Sequence, residues 1–184
     1  MAGVTAQSAP SAPSAPTAPS AERTAWQVAA GVVDPELPML TLRDLGVLRE
    51  VQVSDDGAVV ASITPTYSGC PAMATMRDDL VRTLRAAGFA DVSVRVVLEP
   101  PWTTDQITAE GRAALADAGI SAPGTAPRHE GPVALNLGPI RRAVRCPRCG
   151  SGDVRLVSEF GSTACKAQYS CRACWEPFDH VKEI

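Results

Sequence analysis

Apolar residues change their spacing several times along this chain, and each change marks an element. The stretch AERTAWQVAAGVV, residues 21–33, reads as a helix with Ser20 as its N-cap, and Pro35 and Pro38 in DPELP end it. Two strand patterns follow, VLREVQV and AVVASIT, separated by the turn-rich quartet Ser54-Asp55-Asp56-Gly57, a hairpin signal. Beyond Cys70, the residues Met73, Met76, Leu80, Leu84 and Ala87 recur at helical spacing. Arg77, Asp78, Arg82 and Arg85 fall elsewhere on the wheel, and Gly88 terminates the helix. DVSVRVVL reads as a third strand, and Thr108 to Ala118 as a third helix stopped by Gly119. The order α-β-β-α-β-α predicts an α+β fold whose first domain is a two-layer structure, a mixed three-stranded sheet carrying helices.

Pattern fails at two places. Residues 1–20 include SAP-SAP-SAP-TAP, which offers no large apolar side chain and is expected to stay disordered or polyproline-like. Residues 121–142 are rich in proline, glycine and hydroxyl side chains and read as a linker. The chain thus divides into a tail (1–20), an α/β domain (21–120), the linker, and a small module (143–184).

Composition narrows the function. The chain has 184 residues, a formal net charge of −3 and only 4% aromatic residues, so nothing in the charge calls for nucleic acid. Its apolar runs are short and broken by charge, which excludes a membrane span, and the N-terminus shows no secretory pattern. A cytoplasmic, reducing location is the resulting expectation. There, six cysteines point to metal or thiol chemistry more than to disulfides.

Four of those cysteines form Cys146-Pro-Arg-Cys149 and Cys171-Arg-Ala-Cys174, with 21 residues between the pairs. Thiolates at i and i+3 of a tight turn grip one edge of a tetrahedral metal, and a second turn closes the site. Gly150 allows the positive φ that turns backbone amides toward sulfur. The strand-like stretches DVRLVSEF and KAQYS lie between the pairs, so the module reads as a zinc ribbon with structural Zn. So small a module usually needs a metal or disulfides to fold. Iron or an Fe–S cluster could occupy the same four thiolates. Cys165 is an additional thiol outside this quartet, either a small buried hydrophobe, a substitute ligand, or a thiol facing the other domain. His180 is assigned no metal role. Phe160, Tyr169, Trp175 and Phe178 look like ribbon core.

Cys70 stands apart, between Gly69 and Pro71, at the expected N-cap of the second helix. Free amides and the helix dipole there favour a thiolate, and Thr64, Thr66, Tyr67 and Ser68 supply hydroxyls. Such a loop suits a metal ion, a cluster or an acyl thioester, or it is simply a turn with a capping cysteine. Asp34 and Glu36 sit on the rigid DPELP turn and are hard-oxygen ligands if they face that loop, caps or solvated groups if not. Asp105 could cap the third helix. The chain has no Glu-x-x-His pair, phosphate loop, dinucleotide fingerprint or nucleophile elbow, so oxidation chemistry by this chain alone is not expected.

Taken together, DPELPMLTLRDLGVLREVQV, TPTYSGCPAMATM, EPPWTTDQITAEGRAALADAGI and the four-cysteine module resemble the PaaD family of phenylacetyl-CoA epoxidase components. The first domain is similar to the broader SufT-like domain of iron–sulfur protein assembly. The resemblance implies an accessory or maturation subunit of a multicomponent monooxygenase in aerobic phenylacetate catabolism, with a di-iron oxygenase subunit and a reductase as partners. It also implies a transient Fe or Fe–S cargo, with Cys70, Asp34 and Glu36 inheriting the iron-handling role. A passive scaffold subunit and a Cys70-dependent thiol enzyme are the alternatives.

Overall fold

A computed structural model describes residues 18–67, 69–125 and 143–183. Most of the expected tail, Ser68 and residues 126–142 of the expected linker lie outside the described residues. The first helix, α1, spans Ala18–Ala30, so Ser20 lies inside it and is not its cap; its carbonyl accepts the Thr24 hydroxyl at 3.0 Å. Pro19 is tolerated there because an N–H in the first turn has no partner to lose.

β1 (Leu48–Val53) and β2 (Val59–Ile63) pair antiparallel around the expected turn, where Gly57 has φ +85°. α2 (Met73–Ala86) then carries the chain to β3 (Val92–Val96), which pairs parallel with β2. The sheet order is β1-β2-β3, the mixed sheet the pattern implied. The helical spacing of Met76, Leu80 and Leu84 puts all three on one buried stripe, against Ala25 and Ala29 of α1 and Val51, Val59, Ala61 and Ile63 of the sheet. Burying each large aliphatic side chain contributes about 1.5–3 kcal/mol.

The segment between α1 and β1 folds back over one end of this core, burying Leu37, Leu40, Leu42, Leu45 and Val47. Trp102 locks it from the other side, its indole N–H donating to the Leu45 carbonyl at 2.9 Å. α3 (Ala109–Asp117) is capped by Thr108, whose hydroxyl accepts the Gly111 amide at 3.0 Å; Asp105 lies in the preceding 3-10 turn and does not cap it. Gly111 permits close docking, since a Cβ there would stand 2.8 Å from the Asp44 carbonyl oxygen.

The C-terminal module is an antiparallel three-stranded ribbon, β4 (Val154–Ser158), β5 (Lys166–Cys171) and β6 (Pro177–Val181), with β5 in the centre. Tyr169 and Phe178 are register partners, stack at 5.9 Å, and form its core; the buried His180 ring meets Tyr169 edge-on at 5.6 Å. Phe160 and Trp175 do not join them. They are 72% and 80% exposed, because Phe160 follows a bulge in β4 and lies over the Lys182 ammonium, while Trp175 occupies the tip of the second cysteine turn at φ +64°. The ribbon is packed against the first domain. Ser121, assigned by composition to the linker, is buried and pairs with β6 through Ser121 N–H to Asp179 O (2.8 Å) and Val181 N–H to Ser121 O (3.1 Å). Val181 belongs to the α/β core itself.

Candidate functional site

Two groups of thiols emerge, at different places in the fold. In the ribbon, the two Cys-x2-Cys turns face each other, and the four sulfurs all lie within 4.8 Å of one another. Cys146 Sγ stands 3.7 Å from Cys174 Sγ, and Cys149 Sγ 3.6 Å from Cys171 Sγ. A tetrahedron with metal–sulfur bonds of about 2.3 Å has sulfur–sulfur edges of about 3.8 Å, so the donor set fits a tetrahedral thiolate-bound ion. Both turns close alike: the residue after the second cysteine is left-handed, Gly150 at φ +73° and Trp175 at φ +64°. That conformation aims backbone amides at sulfur. The Cys174 and Ala173 amides, acting with the neighbouring thiols against desolvation, hold Cys171 down at about 7. Cys174, despite the Glu176 amide, is pushed up to about 12 by burial and by the three thiols beside it. Four crowded thiols that cannot all ionise alone are what a bound cation resolves.

The second group lies in the seam between ribbon and α/β domain. Here Asp34, Glu36, Thr66, Cys70 and Cys165 line one cavity of about 20 Å³, closed by Met76 and Trp102. Three stretches distant in sequence build it. The DPELP turn is held by Asp34, whose buried Oδ1 accepts the Glu36 and Leu37 amides, both at 2.8 Å. Asp34 is therefore a cap, the plainer of the two roles open to it, and its work is to aim Glu36. Burial raises its pKa against those two amides and the Lys166 ammonium.

The Cys70 loop departs from expectation by two residues. α2 begins at Met73 with Ala72 at its cap, while Cys70 closes the preceding turn: its N–H donates to Tyr67 O at 3.3 Å and its carbonyl accepts Met73 N–H at 3.4 Å. Gly69 makes the turn possible at φ +89°, and a Cβ there would meet only open space. The thiol still receives the Ala72 and Met73 amides, but the expected ready thiolate is not the outcome. Burial pushes Cys70 up, with Glu36 and Asp34 adding repulsion, and together they outweigh the amides. Of the hydroxyls beside it, Thr66 lines the cavity, and Tyr67 is raised by burial and by the charges of Cys70, Glu36 and Cys165.

Cys165 takes the role of a thiol facing the other domain. Its sulfur donates to Glu36 Oε2 at 3.6 Å and lies 3.0 Å from Thr163 Oγ1. The next residue, Lys166, is buried and donates to the Glu36 carbonyl at 3.4 Å. Sequence reasoning missed Lys166. A charged residue directly after a cysteine at a strand start was the available signal, but nothing local shows that both are covered.

Comparison with known proteins places these residues in context. The profile of the PaaD zinc beta ribbon domain matches residues 131–182, and that of an iron–sulfur cluster assembly protein matches residues 22–101. The chain is 44% identical over 159 residues to a protein of Escherichia coli K12 named as the putative D component of 1,2-phenylacetyl-CoA epoxidase, covering 86% of this chain and 91% of that one. It is 36% identical over 86 residues to the Fe-S protein maturation auxiliary factor SufT of Staphylococcus aureus, covering 46% of this chain and 96% of SufT. A crystal structure of a DUF59 domain from Bacillus anthracis overlays on 52% of this chain and 91% of its own length, at 26% identity and a TM-score of 0.48. The likeness to the Escherichia coli protein extends over most of both chains, and the chain belongs to the PaaD family of 1,2-phenylacetyl-CoA epoxidase components.

Proposed function

We propose that this chain is an accessory subunit of a phenylacetyl-CoA epoxidase system that handles iron, or an Fe–S cluster, for the di-iron oxygenase subunit or the reductase. The observation that carries the reading is the convergence of Cys70 and Glu36 on one buried cavity, inside the stretch that matches iron–sulfur assembly proteins. A borderline cation suits thiolate and carboxylate donors together. The raised Cys70 pKa counts against an activated nucleophile, and as a ligand the thiol would lose its proton to the ion that binds. In this reading the ribbon holds one structural Zn²⁺ at Cys146, Cys149, Cys171 and Cys174, which fixes the module that docks to partners. Exposed Phe160 and Trp175 suit such docking. A cytoplasmic location fits free thiols; among the described residues no helix is long and apolar enough to cross a membrane.

Co-expression of Cys70→Ser with the oxygenase and reductase subunits tests the reading. Iron and acid-labile sulfide in the purified partners should fall severalfold, with the zinc content of this chain unchanged. Full loading and full epoxidase activity with the variant would remove Cys70 from the mechanism and leave the scaffold role.

A further inference from the structure

The ribbon meets the α/β cavity through Cys165, which lines it, and through Lys166 beside it, which holds the Glu36 carbonyl. Cys165 immediately precedes β5 and Lys166 begins it, at the end of the strand opposite the one that enters the four-thiol cage through Cys171. Glu36 is their common neighbour: its carboxylate accepts the Cys165 thiol, its carbonyl accepts the Lys166 ammonium, and its charge is felt by Cys70, Cys165 and Tyr67. The cavity therefore has two thiols from different modules with a carboxylate between them. A buried ammonium beside Asp34 balances part of the negative charge.

Resting on the iron-handling reading of Cys70, we infer that Cys70, Glu36 and Cys165 form one bipartite site for a single divalent first-row transition ion, complete only when the ribbon is docked. Size selects the occupant, because about 20 Å³ holds one water-sized body and not a cluster with its inorganic sulfides. Chemistry selects a borderline ion, with two thiolates and one carboxylate as donors. Spacing selects a transient one. Among the described residues only the ribbon quartet brings three or more such donor atoms within 4.8 Å of one another. The donors of the seam must draw together around an ion, releasing two thiol protons to solvent, and they separate again when it leaves. Cys165 thus couples cargo to architecture, since β5 connects it directly to the zinc ligand Cys171.

Anaerobic titration of the full-length, zinc-loaded protein with Co²⁺ tests this, read by the sulfur-to-cobalt charge-transfer band with zinc measured alongside. One further Co²⁺ per chain should bind. Cys165→Ser should weaken that binding by at least about tenfold and remove about half the band, one thiolate of two being lost. Cys70→Ser should do the same, and the double variant should show no band. Retained zinc and an unchanged near-ultraviolet circular dichroism spectrum establish that each variant is folded; should Cys165→Ser fail there, Cys165→Ala and Glu36→Gln replace it. Binding and band that survive loss of Cys165 but vanish with Cys70 would overturn the bipartite site while sparing the Cys70 reading. Binding indifferent to both cysteines would sink the two together.

Discussion

The two thiol sites of this protein obey opposite designs. In the ribbon, four like donors sit 3.6–3.7 Å apart across the two turns, within reach of backbone amides, in a module too small to fold on its apolar surface alone. In the seam, two thiols and a carboxylate come from three separate stretches and share a one-water cavity, Cys165 buried and Cys70 and Glu36 half-buried, without being drawn together. A closed homogeneous cage holds its ion as part of the fold. An open mixed set can take an ion and give it up. On the reading proposed above, the same donor chemistry serves permanence in one place and exchange in the other, and the difference lies in how much the surrounding chain has already fixed.

Stripping the ribbon metal is the largest perturbation of that contrast. Structural Zn²⁺ contributes on the order of 10–16 kcal/mol of apparent binding free energy in such modules. Chelation, or Cys171→Ser, should therefore unfold residues 143–183 as read by loss of amide hydrogen-exchange protection. α2 and β1–β3 should keep theirs, because their core is built from Ala25, Val51, Ile63 and Leu80. Cys165 would leave Glu36 in the same event. A ribbon still protected without metal would mean that its Tyr169–Phe178 core suffices, and the contrast would collapse.

Thiol reactivity separates the sites next. With zinc bound, only Cys70 and Cys165 remain to alkylate, and both should react with iodoacetamide more slowly than free cysteine at neutral pH, since burial raises each. After metal removal, which unfolds the ribbon, the four ribbon thiols and Cys165 should all label faster than Cys70, which stays in the folded α/β domain. Mass mapping of the labelled cysteines gives the order, and fast labelling of Cys70 in the zinc-loaded protein would restore the thiol-enzyme reading.

What the sequence disclosed follows from how local each feature is. The Cys-x2-Cys turns and their glycine are complete within five residues, so spacing alone revealed the cage. The sheet and α2 were legible from period 2 and period 3.6, and Thr108 to Ala118 gave α3 although its cap was Thr108 and not Asp105. Ser20 misled because serine is a favoured cap at the head of a helical pattern, whereas the helix starts two residues earlier, at Ala18. Cys70 was read as the cap, two residues before the actual one at Ala72, since Pro71 fits a helix start and equally a separate turn before it. The Glu36–Cys165 contact, 129 residues apart in sequence, had no local signature at all. Nor could the strand pattern of KAQYS show that Cys165, Lys166 and Ala167 are buried in a row, because what covers them is the other domain.

Asp34 sharpens the comparison by about 1 kcal/mol. If it serves as a cap, Asp34→Asn keeps an oxygen to accept the Glu36 and Leu37 amides, while Asp34→Ala loses it and should cost about 0.5–2 kcal/mol. The sign with pH differs from that of an ordinary salt-bridged carboxylate. Because burial raises the folded pKa of Asp34, its ionisation is a cost that sets in as pH rises above the unfolded range near 4 and is complete above the folded pKa. Asp34→Asn should therefore be neutral or slightly stabilising at pH 7 and lose that advantage toward pH 4, in urea melts at both values. A large loss of Co²⁺ affinity in Asp34→Asn, with stability intact, would make it a ligand instead.

The smallest effect should come from the ion pair that bridges the two cysteine turns. Arg148 Nη1 lies 2.7 Å from Glu176 Oε2, a geometry that invites a structural role, yet the Arg148 side chain is 69% exposed. Solvent screening and side-chain entropy leave such pairs at about 0–1 kcal/mol, so Arg148→Ala should leave zinc affinity and thermal stability nearly unchanged. A charged group in the seam should matter far more, because there Lys166 is buried and donates to the Glu36 carbonyl. Lys166→Met should accordingly destabilise the docked ribbon several times more than Arg148→Ala does. Equal effects would mean that burial does not distinguish the two sites, and that the cage is held by its rim and not by its metal.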